Sequence, residues 1–93
     1  MSVELANDSL IRLRGACPLE DAEDLLRLLI EQRGRAVDWT GCDIAHTAVI
    51  QVLLALRPVM IGLPAGKFLR TWISPLLQGQ DGARAQVLRD SQY

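Results

Sequence analysis

The sequence predicts an α/β domain: a mainly parallel sheet of about four strands with three helices, in the order β-β-α-β-α-β-α. Three observations carry this expectation. Short apolar or alternating stretches recur between longer stretches whose apolar residues return every third or fourth position. Proline and glycine fall between these stretches, at Pro18, Gly34, Pro58, Pro64, Gly66 and Pro75, where turns and helix ends belong. Strands that alternate with helices imply parallel pairing through right-handed crossovers.

The totals bound the rest. Ninety-three residues make one domain with a modest core. A hydrophobic share of 49% against 23% charged residues is the balance of a globular protein rather than a disordered one. The net charge of −1 gives no basic footprint for nucleic acid. The longest mostly apolar run, Ala48 to Leu56, holds Gln51 and ends at Arg57-Pro58, well short of the roughly 18 apolar residues of a membrane span. The opening residues have no basic segment followed by an apolar one, so no signal peptide is expected. Two cysteines, Cys17 and Cys42, make no disulfide framework, and the expected location is the cytoplasm.

Taken in order, Val3-Glu4-Leu5 alternates as a short strand, and Asn7-Asp8 is a turn signal. Ser9 to Arg14 reads as a second strand, paired with the first as an antiparallel hairpin at a sheet edge, and Gly15-Ala16-Cys17 breaks the pattern. Pro18 to Gln32 is the clearest helix. Pro18 suits the first helical position, where its missing N–H is an orphan anyway. Glu20, Asp21, Glu23 and Asp24 complement the dipole as a solvated helix start, and Gly34 is the stop. Leu19, Ala22, Leu25, Leu26, Leu29 and Ile30 define its buried face.

Ala36 to Trp39 is expected as a central parallel strand, followed by a loop over Thr40 to Ala45. The second helix runs from about Thr47 to Leu56 and is apolar nearly all round, which implies packing on two sides, until Pro58 ends it. Val59 to Leu63 is a third core strand and Pro64-Ala65-Gly66 a turn. Lys67 to Ile73 is a third helix with Phe68, Leu69, Trp72 and Ile73 at helical spacing, ended or kinked by Pro75. Trp72 and Phe68 read as core, or as a surface for pairing two copies in a homodimer. The domain therefore spans 1–77, and 78–93 is a polar C-terminal tail with room for a turn or two of helix over Ala83 to Leu88.

The chemistry-bearing residues cluster in the middle. Thr47 begins a helix, where free N–H groups and the helix dipole favour negative charge. It either holds a phosphate or caps the helix. Cys42, Asp43 and His46 do not form the paired spacing that tetrahedral zinc needs, so no metal is expected. Cys17 or Cys42 with His46 as base would be the nucleophile of a small hydrolase, but no third orienting group and no phosphate loop accompany them. Two small semi-buried thiols are the plainer reading, and no catalysis or cofactor is expected. Asp38 is expected to accept hydrogen bonds from the loop after its strand.

Val37-Asp38-Trp39-Thr40-Gly41, a short loop, and then His46-Thr47-Ala48-Val49-Ile50-Gln51-Val52-Leu53-Leu54 resemble the STAS domain family. That is the fold of sulfate-transporter tails and anti-sigma-factor antagonists. The wording is closest to the compact bacterial subfamily with an Asp-Thr-Ala-Gly-Leu-Gln motif. His46 stands at the family's Asp and Val49 at its Gly. The resemblance implies a non-catalytic signal-transduction module in transcription regulation that docks on an anti-sigma-factor kinase. Thr47 is then the phosphoacceptor, and Trp39, Thr40, Asp43, His46, Val49 and Ile50 face the partner. It also implies an alternative, an accessory subunit that binds the ATPase of a bacterial phospholipid-transport ABC system.

Overall fold

The computed structural model describes residues 2–77; the tail 78–93, with the helical turns expected over Ala83 to Leu88, lies outside them. Its elements are β1 (Val3–Asn7), β2 (Leu10–Cys17), α1 (Glu20–Glu31), β3 (Ala36–Ala45), α2 (Thr47–Leu56), β4 (Met60–Ile61), and a π turn (Leu69–Ile73) that runs into α3 (Ser74–Leu77). The expected element order holds. The sheet is mixed, with two of its three pairings parallel: the spatial order is β1-β2-β3-β4, with β1/β2 antiparallel and β2/β3 and β3/β4 parallel. The antiparallel pair is the expected edge hairpin. Its turn is tightened by the Ser9 N–H donating to Asn7 Oδ1 at 2.8 Å.

Both parallel crossovers step the same way across the sheet, so right-handedness puts α1 and α2 on one face. The cross-strand rows show the consequence. Ile11 and Val37 are opposite one another and fully buried, and Val3 opposite Leu13 is buried too. They meet Ala22, Leu25 and Leu29 of α1, Val49 and Leu53 of α2, and Leu69 and Leu77 of the last helical segment in one core. The adjacent row, Glu4–Arg12–Asp38, lies on the opposite face. It is bound by ion pairs from Arg12 to Glu4 and to Asp38, both at 3.7 Å, with Arg14 reaching Glu4 at 3.3 Å. This open, charged face makes the domain two layers deep.

Several expectations are corrected. Gly15-Ala16-Cys17 does not end β2, and Thr40 to Ala45 is not a loop: both stretches continue as paired strand. The pairing survives because β3 carries an extra residue at each of two bulges, opposite Arg12/Arg14 and opposite Gly15/Ala16. The buried stripe of α1 is narrower than its apolar residues suggest, since Leu19, Leu26 and Ile30 are exposed. Its acidic start is not wholly solvated, because Asp21 is buried and accepts from Ser2 Oγ. The strand expected over Val59 to Leu63 reduces to Met60–Ile61.

Pro75 neither ends nor breaks the last helix. The π turn upstream shifts the ladder so that Ser74 N–H reaches Leu69 O, and Pro75 sits in the first turn of α3. On that helix Phe68 and Trp72 are exposed, so they are not core. α2 is flanked by α1 on one side and α3 on the other, as expected of its apolar surface.

Candidate functional site

The site is built at the C-terminal end of β3 and the first turn of α2. The second bulge leaves Asp43 and Ile44 exposed, with Ile44 at 66%. His46 follows in extended conformation (φ −58°, ψ 148°) and caps α2: its Nδ1 accepts the Ala48 N–H at 3.0 Å, and its carbonyl accepts from Val49 N–H at 2.9 Å. The His46 N–H donates to Cys17 O at 2.8 Å, which fixes the cap to the end of β2. Thr47 is therefore not the cap. It is the first helical residue, exposed, and its hydroxyl has no hydrogen-bond partner among the described residues. No acidic side chain occupies the first turn. The rim so formed is Asp43, Ile44, His46 and Thr47, with Ile50 half-buried behind it.

The segment after β4 braces this rim from beneath. Trp39 Nε1 donates to Gly62 O at 2.9 Å, and Gly66 N–H donates to Cys42 O at 3.0 Å. Gly62 has φ +73°, and a Cβ there would meet Thr40 Cγ2; a Cβ at Gly66 would fall 1.7 Å from Asp43 O. Both glycines are needed for the close approach.

Two residues expected to face a partner do not. Trp39 is 1% exposed and belongs to the core, because β3 keeps its alternation, with Val37 and Trp39 inward and Asp38 outward. Val49 is 0% exposed, since the turn after the His46 cap points it back at the sheet. It therefore does not crowd the rim. Thr40 is exposed, but its N–H and hydroxyl both donate to Asp38 Oδ1, at 3.0 and 2.7 Å. These bonds, with the Arg12 guanidinium, hold the Asp38 carboxyl below its usual pKa. Asp38 thus has the bonding role expected of it. Ile44 and Gly62 were not singled out in the sequence, and Gly66 was read only as part of a turn; an apolar residue beside Asp43 just before a helix cap was the available signal for Ile44.

Behind the rim, Cys17 and Cys42 lie with their sulfurs 3.8 Å apart. Among the described residues no three His, Cys, Asp or Glu side chains gather closely enough to hold a metal ion, and no helix is long and apolar enough to cross a membrane. A cavity of about 570 Å³ lies at the other end of α2, lined by Leu29, Arg33, Leu56 and Val59 among others. Compared with family models, curated proteins and solved structures, the chain finds no match in any of the three.

Proposed function

We propose that this domain is a non-catalytic docking module of STAS type, which binds a kinase-type protein partner through the rim Asp43, Ile44, His46 and Thr47. Thr47 is the switch. The observation that carries the reading is the Thr47 hydroxyl: exposed, without a partner among the described residues, at the first position of a ten-residue helix, close to an exposed isoleucine. A phosphate there adds a charge of about −1.5 to −2 in the middle of the rim, and contacts made to a neutral hydroxyl are lost. The helix N-terminus accommodates the phosphate without unfolding the domain.

The test combines the purified domain, the partner kinase and ATP. Phosphate is expected on Thr47 and nowhere in Thr47→Ala, and Thr47→Glu is expected to lose binding. An unmodified Thr47, together with full binding by Thr47→Glu, would remove the switch.

A second reading keeps the rim and changes the partner to the ATPase subunit of a phospholipid-transport ABC system, held at a static interface. The observation in its favour is His46, which supplies a cap where the phosphorylated members of the resembled family carry an acid. In that case an ATPase subunit copurifies, Thr47 stays unmodified, and Ile44→Asp alone releases it.

A further inference from the structure

The chain has two cysteines, and the fold brings them together. Cys17 ends β2 and Cys42 lies between the two bulges of β3; they are 2% and 0% exposed and their sulfurs are 3.8 Å apart. Each thiol also faces a weak backbone acceptor, Arg14 O at 3.9 Å from Cys17 and Ile44 O at 3.7 Å from Cys42, and Ser2 and Asp21 lie beside Cys17. A disulfide needs sulfurs at about 2.05 Å, so the pair must close by somewhat under 2 Å. The backbone around it has slack of a kind rare in a sheet centre. Register shifts lie on both sides of Cys42, and Gly15, the residue paired with it, sits at φ +61° with open space around its Cα.

We propose that Cys17 and Cys42 form a reversible intrachain disulfide when the protein meets hydrogen peroxide. The two thiols are not equivalent. The Cys42 S–H directed at Cys17 lowers the Cys17 pKa against the opposing pull of burial and the Asp21 charge, whereas that same contact and burial push Cys42 up. Cys17 is therefore the first nucleophile. Its thiolate attacks one peroxide oxygen; the O–O bond breaks, hydroxide leaves and is protonated to water, and Cys17 becomes a sulfenic acid. Cys42 then attacks that sulfur. The S–S bond forms, the S–O bond breaks, and the departing hydroxide takes the Cys42 proton as a second water. Two thiols are oxidised and one peroxide is reduced.

The position gives the bond a consequence. Cys17 O holds the His46 N–H and Cys42 O holds the Gly66 N–H. Drawing the sulfurs together pulls on both anchors of the rim, the helix cap and the glycine brace. This consequence rests on the docking reading; the disulfide does not.

The experiment needs no partner. The folded protein is treated with hydrogen peroxide, quenched, and measured by intact mass and by tryptic mapping. The expected result is loss of two hydrogens, a link between the fragments carrying Cys17 and Cys42, and reversal by dithiothreitol. Cys17→Ser and Cys42→Ser, each confirmed folded by circular dichroism, should lack that loss. Both thiols still titratable after unfolding, a sulfinic or sulfonic acid on one sulfur, or disulfides only between chains would each overturn the proposal. In a two-dimensional amide spectrum of the oxidised protein, His46, Thr47 and Gly66 should shift. A disulfide that leaves them unmoved would refute the coupling to the rim while the docking reading stands.

Discussion

Gly66→Ala tests the claim that the segment after β4 braces the rim. A methyl group at Gly66 would fall 1.7 Å from Asp43 O and 2.7 Å from Asp43 C. Both are backbone atoms of a paired strand, so no rotamer change relieves the overlap. Ordinary contact begins at 3.4 Å, so the segment must lift by about as much again as the gap it has. That movement breaks Gly66 N–H to Cys42 O and strains Arg70 N–H to Gly66 O, now 3.0 and 2.9 Å. Overpacking of this kind and two backbone hydrogen bonds together cost about 4 kcal/mol. A domain of this length has about 5–14 kcal/mol in all, so the variant should be marginal. Urea unfolding followed by far-UV dichroism measures the loss, and hydrogen exchange at Arg70 distinguishes global unfolding from a helix that merely detaches. Gly34→Ala is the control: it has φ +89° but nothing within 4 Å, so only left-handed strain of about 1–2 kcal/mol applies. If Gly66→Ala unfolds within about 0.5 kcal/mol of the parent, with Arg70 equally protected, the brace does not exist as described.

Three further outcomes follow from the same geometry. The two tryptophans should separate cleanly by acrylamide quenching: Trp72→Phe should leave a blue-shifted, protected emission from Trp39, and Trp39→Phe a quenchable one from Trp72, because they are 1% and 65% exposed. The Asp38 carboxyl has a folded pKa below its unfolded one, so its stabilisation is fully present above the ordinary value of about 4 and is lost as pH falls through the folded one. Asp38→Asn should therefore flatten the acid limb of a stability-versus-pH curve, and an unchanged limb would deny the Thr40 bonds that role. The ion pairs of the open face, Glu4–Arg12 and Arg12–Asp38, are partly solvated, so Arg12→Met should alter stability by no more than about 1 kcal/mol, as read by the urea midpoint.

Much of the architecture was legible because it depends on periodicity. The apolar spacing of α1 and α2, the alternation of β2 and the Asn7-Asp8 turn all do in the structure what their residue types allow. The misplaced strand and helix ends share one source, turn-forming residues that are used inside elements. Gly15, Gly41 and Asp43 look like breaks, yet paired strands absorb them as bulges, and only the partner strand can reveal a bulge. That misreading made Trp39 the last residue of a short strand, and hence a surface residue, when it is the fourth of ten in β3 and buried. Pro75 likewise looks like a helix end, but the π turn before it moves the hydrogen bonds that it would have broken. Of the site, Thr47 and His46 are where the sequence placed them, at the start of α2. Val49 could not be assigned a face until the cap had set the phase of the helix.

The bulges also explain why the rim exists. Without an added residue β3 would hold its alternation, and position 42 would point outward with Asp38 rather than inward with Trp39. The first bulge reverses that phase, so Cys42 enters the core next to Cys17 while Gly41 lies across Arg14 on the open side. The second leaves Asp43 and Ile44 both exposed, immediately before the cap. The two insertions thus produce the buried thiol pair and the exposed rim together, on opposite sides of the end of β3. Deleting Asp43 should remove the second bulge and take one charged side chain from the rim, while Cys42 stays buried opposite Gly15 and Ile44 stays opposite Ala16 on the open side. A deletion variant that kept both its fold and its partner affinity would show that docking uses neither Asp43 nor the bulge that presents it.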